Sequence, residues 1–165
     1  MLIILRGAPS SGKSTIAKKI RDYDKKITWL KVDNFKPFFD DDNETIIDDV
    51  NDMALNSLDY LLDHGFSVVM EGIFQNPRYI QKAVDIAKNK NILSKVYLLD
   101  CSLNMLKERD RVREGVKEGC RKPLGDEKIE KLFNFVRSNP YPESIKLNTE
   151  ELSLDQCVEI IKQNF

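Results

Sequence analysis

Apolar and polar positions alternate along this chain on two periods. Short apolar runs occur at Met1 to Leu5, Ile27 to Val32, Phe66 to Met70, Ser94 to Leu99 and Ile145 to Asn148, and each is short enough to be a buried strand. Between them, apolar residues recur at three- and four-residue steps, which predicts helices. The first runs from Lys13 to about Asp22. The second runs from Glu44 to Asp63, with Ile47, Val50, Ala54, Leu58, Leu61 and Leu62 on one face and Gly65 as its stop. Pro77 opens a third helix at its first position, with Ile80, Val84 and Ala87 together on one side. A charged helix from Leu103 to about Arg113 follows, then one from Glu127 to Arg137 that buries Ile129, Leu132, Phe133 and Val136 and is ended by Asn139-Pro140-Tyr141-Pro142. The last, Leu154 to Ile161, is capped by Ser153. Asp33 to about Asn43, which carries Pro37, reads as a loop, and Glu114 to Gly125 as a glycine- and lysine-rich break, a candidate mobile loop.

Strands alternating with helices from end to end, without repeats or low-complexity segments, predict an α/β fold with helices covering a parallel sheet. Right-handed crossovers then place the C-terminal ends of the strands along one edge, where ligands bind. The 165 residues are most economically one domain, 1–165.

Charge and cysteine content remove several classes of function. Lys and Arg total 26 against 27 Asp and Glu, so there is no global basic field for nonspecific nucleic-acid binding, although a local patch stays open. The apolar runs are shorter than a membrane span, and the N-terminal run reads as the first strand and not as a leader, so the expectation is a cytoplasmic protein without a membrane partner. Cys101, Cys120 and Cys157 form no C-x-x-C pair and His64 is the single histidine, which argues against disulfides and a zinc site. His64 precedes Gly65 at a helix C-terminus, where it suits the dipole.

The strongest chemical signal is Gly7-Ala8-Pro9-Ser10-Ser11-Gly12-Lys13-Ser14, a G-x-x-x-x-G-K-[ST] phosphate-binding loop between the first strand and first helix. Gly7 and Gly12 are expected to allow positive φ angles and close approach to an anion, while loop N–H groups and the helix N-terminus point at phosphate oxygens. Lys13 would reach the β- and γ-phosphates, Ser14 would ligate Mg2+, and Thr15 would bond a neighbouring phosphate oxygen. ATP and Mg2+ are thus the cofactors the loop suggests.

Other candidates lie where the predicted strands end. Asp33 ends the second strand and either orients an acceptor hydroxyl and takes its proton or caps a turn or holds a metal-bound water. Glu71 follows the third strand run. It is a candidate for holding Mg2+ through water, a candidate for binding the acceptor, or an ordinary strand-end carboxylate before Gly72. Arg109 and Arg113 share a helix face and would neutralise charge developing on a transferred phosphate, unless they belong to an ion-paired face with Glu108, Asp110 and Glu114; Arg111 is left to solvent. Phe35, Phe38 and Phe39 either line an acceptor pocket or join the core, and Arg78 is a further acceptor-side candidate. Asp40-Asp41-Asp42 suits a helix N-terminus, with a cationic acceptor as the sharper alternative.

With these residues assembled, the chain resembles the P-loop kinases related to nucleoside monophosphate kinases, in particular the group containing chloramphenicol phosphotransferase and the kinase domain of polynucleotide kinase. The resemblance runs through Leu2 to Thr15, Val32-Asp33-Asn34-Phe35, Gly65 to Phe74, Arg109 to Arg113, Leu147-Asn148-Thr149 and Leu152-Ser153. It implies a three-layer α/β/α P-loop NTPase fold with strand order 2-3-1-4-5 and a short lid over about 109–126. It further implies Asp33 as catalytic base, Arg109 and Arg113 as lid arginines, and the 147–153 segment near the adenine. The family usually has Asp where this chain has Glu71. The expected activity is ATP-dependent transfer of the γ-phosphoryl group to a hydroxyl of a small-molecule acceptor. The rivals are a kinase for the 5′-hydroxyl of a nucleic acid or nucleoside, for which the acidic loop after Asp33 is a poor track, and a nucleotide-binding regulatory module without acceptor. The Asn-Lys-x-Asp pattern of a GTPase is absent, since Asn89-Lys90-Asn91-Ile92 lacks the aspartate.

Overall fold

The computed structural model describes residues 1–39, 46–113 and 122–163. In chain order they form β1 (Leu2–Arg6), α1 (Lys13–Arg21), β2 (Ile27–Lys31), a 3-10 helix (Val32–Phe38), α2 (Ile47–Asp63), β3 (Ser67–Gly72), α3 (Arg78–Asn89), β4 (Ser94–Asp100), α4 (Leu103–Arg111), α5 (Asp126–Ser138), β5 (Ile145–Asn148) and α6 (Leu154–Lys162). The strands make one sheet in the order β2-β3-β1-β4-β5, and each neighbouring pair is parallel. This is the predicted three-layer arrangement. Asp40-Asp41-Asp42, Cys120, Arg121 and most of the predicted break lie outside the described residues.

β1 shows why the sheet is covered on both sides. All five of its residues are buried, and because side chains alternate, Leu2 and Ile4 join one core while Ile3 and Leu5 join another. The first core is closed by α2 and α3 through Val50, Ala54, Leu58, Ile80 and Ala83. On the opposite face α1 and α6 supply Ile16, Ala17, Ile20, Val158 and Ile161. A smaller cluster of Ala8, Cys101, Leu106 and Ile129 seats α4 and α5 beside the phosphate loop. Arg6, the last residue of β1, is buried too. Its guanidinium donates to the carbonyls of Ile73, Phe74 and Asn139 at 3.4, 3.2 and 2.5 Å, tying the end of β3 to the end of α5. Burial pulls the Arg6 pKa down.

Three local predictions need correction. The stretch after β2 is not an open loop: Val32–Phe38 forms a 3-10 helix, whose three-residue turn stacks Asp33 over Lys36 and lets them pair at 2.7 Å. β3 starts one residue later than expected and continues two residues past Met70, because Leu5 and Arg6 of β1 are paired with Glu71 and Gly72. Glu71 therefore sits within the strand. Pro77 caps α3 instead of occupying its first turn.

Candidate active site

The C-terminal edge of the sheet carries a cavity of about 500 Å³. Its floor is the phosphate loop, which turns β1 into α1. Gly12 is in the left-handed region at φ 94°, as expected, and Ser10 at φ 66° shares that conformation. Gly7 is needed for a different reason from the one expected: it does not have positive φ, but a Cβ there would stand 2.6 Å from the Leu99 carbonyl oxygen and 2.7 Å from Ser11 Oγ. Close packing of loop on β4 thus selects the first glycine. α1 begins without a side-chain cap and without an acidic residue in its first turn. By contrast, Ser102 caps α4 and Ser153 with Gln156 forms a capping box on α6. The exposed donors and positive dipole end of α1 thus suit an anion.

Lys13 is buried, and its ammonium donates to the carbonyls of Gly7 and Ala8, both at 2.8 Å. Desolvation lowers its pKa to about 8, against the opposing pull of Glu71 and Asp33, while Arg113 and Lys31 add to the lowering. Ser14 Oγ donates to Glu71 Oε1 at 2.7 Å, and Lys31 Nζ is 3.9 Å from the same oxygen. Register explains the second contact, since Lys31 of β2 is the partner of Glu71 on β3. Asp33, two residues beyond Lys31, lines the same cavity.

The hydroxyl of Ser14 and the carboxylate of Glu71 are hard oxygen donors of the kind Mg2+ takes. Among the described residues no group of three or more His, Cys, Asp or Glu side chains gathers as a metal site. A divalent ion here would draw most of its ligands from water and phosphate, which is the habit of Mg2+ at nucleotide sites.

The two arginines part company. Arg113 lines the cavity, lies 3.5 Å from Asp110 Oδ1 and is close enough to Lys13 to affect its titration. Arg109 is fastened at the β5 end, donating to Thr149 Oγ1 at 3.1 Å and to the Thr149 carbonyl at 2.6 Å. Thr149, Leu152, Leu154 and Cys157 form the cavity wall on that side. Burial raises the Cys157 thiol pKa, which keeps it protonated.

The cavity thus brings together Pro9 to Thr15 of the loop with Asp33, Glu71, Arg109 and Arg113. Gly7 and Ala8 lie beneath, their carbonyls holding Lys13. Two predicted acceptor residues are placed elsewhere. Phe35 packs against the α2–α3 core and stacks on Phe38 with ring centroids 6.2 Å apart. Arg78 pairs with Asp48 at 2.7 Å over the ring of Tyr79 and does not line the cavity. Arg111, left to solvent, is exposed and paired with Asp126. Lys31 was not foreseen, and Asp110 was read only as a member of an ion-paired face, not as a buried group. Lys31 could have been found from its place at the end of the second strand run, two residues before Asp33, and Asp110 from its place four residues after Leu106, on the buried face of α4.

A parallel sheet in this order with a phosphate loop after the first strand defines a P-loop kinase-like protein. The chain belongs to the Zeta toxin family, whose model matches residues 1–141. No curated protein matches the chain significantly. Several solved structures share the fold. A candidate kinase from Chloroflexus aurantiacus has a TM-score of 0.71 at 20% identity, covering 99% of this chain and 97% of the other. A gluconokinase from Sinorhizobium meliloti gives 0.67 at 17%, covering 95% and 86%. The tunicamycin resistance protein of Deinococcus radiodurans gives 0.66 at 15%, covering 99% and 94%. No helix among the described residues is long and apolar enough to cross a membrane.

Proposed function

We propose that the protein is an ATP- and Mg2+-dependent kinase that transfers the γ-phosphoryl group to a hydroxyl of a small molecule. The observation that carries this reading is the convergence of Lys13, Ser14, Asp33, Glu71 and Arg113 on one cavity of about 500 Å³, a size within the range of small-molecule sites. The gluconokinase and the tunicamycin resistance protein are each named for a small molecule, which supports an acceptor of that class.

On arrival of the triphosphate, Lys13 exchanges two loop carbonyls for phosphate oxygens, and the open N-terminus of α1 receives the β-phosphate. Ser14 and Glu71 would hold Mg2+, directly and through water, and the ion would supply charge neutralisation between the phosphates. The acceptor hydroxyl lies against Asp33, which orients it and takes its proton as the oxygen attacks the γ-phosphorus in line. The bond from that phosphorus to the bridging oxygen breaks, and ADP leaves. Arg113, at the Lys13 end, is placed to meet charge on the transferred group, and Arg109, bound to Thr149, serves the base end of the nucleotide.

Transfer of labelled γ-phosphate from Mg-ATP to a panel of aminoglycoside, phenicol, nucleoside, sugar and oligonucleotide hydroxyls tests the reading. Wild type should label one small-molecule class and Asp33→Asn none. Labelling of the oligonucleotide alone would move the acceptor to nucleic acid. Labelling by Asp33→Asn at the wild-type rate would remove Asp33 from the chemistry.

A further inference from the structure

Asp110 is a buried carboxylate that the chemistry above does not use. It is only 2% exposed, yet it lies in α4 between two arginines in a stretch that otherwise looks solvated. Its Oδ2 accepts from the backbone N–H groups of Leu124 and Gly125 at 2.7 and 3.1 Å. Those residues lead directly into α5, so this oxygen fixes the start of α5 against the end of α4. Its Oδ1 faces the other way. It takes the hydroxyl of Ser10, a loop residue in the left-handed conformation, at 3.4 Å and lies 3.5 Å from Arg113.

The two oxygens therefore differ. The contacts of Oδ2 are short and join backbone to helix; those of Oδ1 are long and lead to two cavity-lining side chains, one on the phosphate loop and one just past the end of α4. Arg113 has no other ion pair among the described residues. A guanidinium on a flexible stem has little energy to hold it over a phosphate unless a second group restricts it, and a charge-assisted contact from a buried, fixed carboxylate does that.

We propose that Asp110 is the positioning residue for Arg113: through Oδ1 it aims the guanidinium at the terminal phosphate of the nucleotide, while Oδ2 anchors the pair of helices that carries it. The inference rests on the nucleotide reading of the cavity. It separates the two oxygens, and Asp110→Asn makes the same separation, because the amide oxygen still accepts from Leu124 and Gly125 while its nitrogen cannot hold a guanidinium.

The test is a double-mutant cycle read as the Kd of Mg-ATP and of AMP for wild type, Asp110→Asn, Arg113→Ala and the double variant. Asp110→Asn should weaken Mg-ATP about five- to tenfold, AMP less than twofold, and cost nothing further once Arg113 is alanine. A general loss of structure would weaken both nucleotides alike. Should the asparagine variant not fold, Asp110→Ser, smaller than the aspartate and uncharged, replaces it in the same cycle. Mg-ATP affinity unchanged in the single variant, or equal losses with and without Arg113, would overturn the role of Asp110 while leaving the nucleotide reading intact. If wild type bound neither nucleotide, the nucleotide reading itself would fall and this inference with it.

Discussion

Asp33 and Glu71 stand at the ends of adjacent parallel strands and line one cavity, yet their surroundings differ. Glu71 is buried, held within β3 by pairing on both sides, and engaged by Ser14 and Lys31. Asp33 has left the strand. It sits on the first turn of a 3-10 helix, is about a quarter exposed, and is paired with Lys36, whose own side chain is 43% exposed. A carboxylate that must keep one geometry around a metal and a loop benefits from the first setting. One that must meet an exchanging acceptor and carry a proton away benefits from the second. On the proposed reading, the same residue chemistry is thereby divided between the nucleotide and its acceptor.

The division breaks most visibly at Asp33. Asp33→Asn should lower phosphoryl transfer by about 10²- to 10⁴-fold, the usual worth of a general base, while Mg-ATP affinity stays within about twofold in a calorimetric titration. Glu71→Gln should act on the other side, weakening the Mg2+ dependence of transfer by roughly 10- to 100-fold in a metal titration, as losses of groups around a metal do. If both variants gave the same profile, the two carboxylates would be doing one job.

A pH series sharpens the nucleotide half. Lys13 has its pKa lowered to about 8 in the free protein, and bound phosphates raise it again by favouring the ammonium form. Mg-ATP affinity should therefore be full below pH 8 and fall as pH rises through about 8, by roughly tenfold per unit above it. Lys13→Arg, charged throughout, should lose that slope. The smallest effect is at the capped helix. Ser153→Ala removes the hydroxyl that accepts from the Gln156 N–H and should cost about 1 kcal/mol in denaturant melts without changing Mg-ATP affinity.

The strands and helices were legible because the two hydrophobic periods carry them, and β1 is apolar throughout. The nucleotide half of the site was legible because a phosphate loop is contiguous: Gly7 to Thr15 supply it in nine successive residues. The rest depends on contacts that no local pattern encodes. Phe35 reads equally as pocket or core until α2 is in place, and the structure puts it on the core. Arg78 reads as a free cation until Asp48, thirty residues away, is brought beside it. Lys31 meets Glu71 only through strand register, and Asp110 was masked by the charges on either side although Leu106, one turn earlier, marks its face as buried. Arg6 shows the limit most plainly: a charged strand end ordinarily faces water, and here three backbone carbonyls, all far along the chain, take the place of solvent around Nε and Nη2.

The most direct measurement of the division between the carboxylates is calorimetric titration of ATP with and without Mg2+ into wild type, Asp33→Asn and Glu71→Gln. The structure predicts that Mg2+ tightens ATP binding equally in wild type and Asp33→Asn and loses most of that effect in Glu71→Gln. Loss of the Mg2+ effect in Asp33→Asn with its retention in Glu71→Gln would contradict the assignment and exchange the two roles.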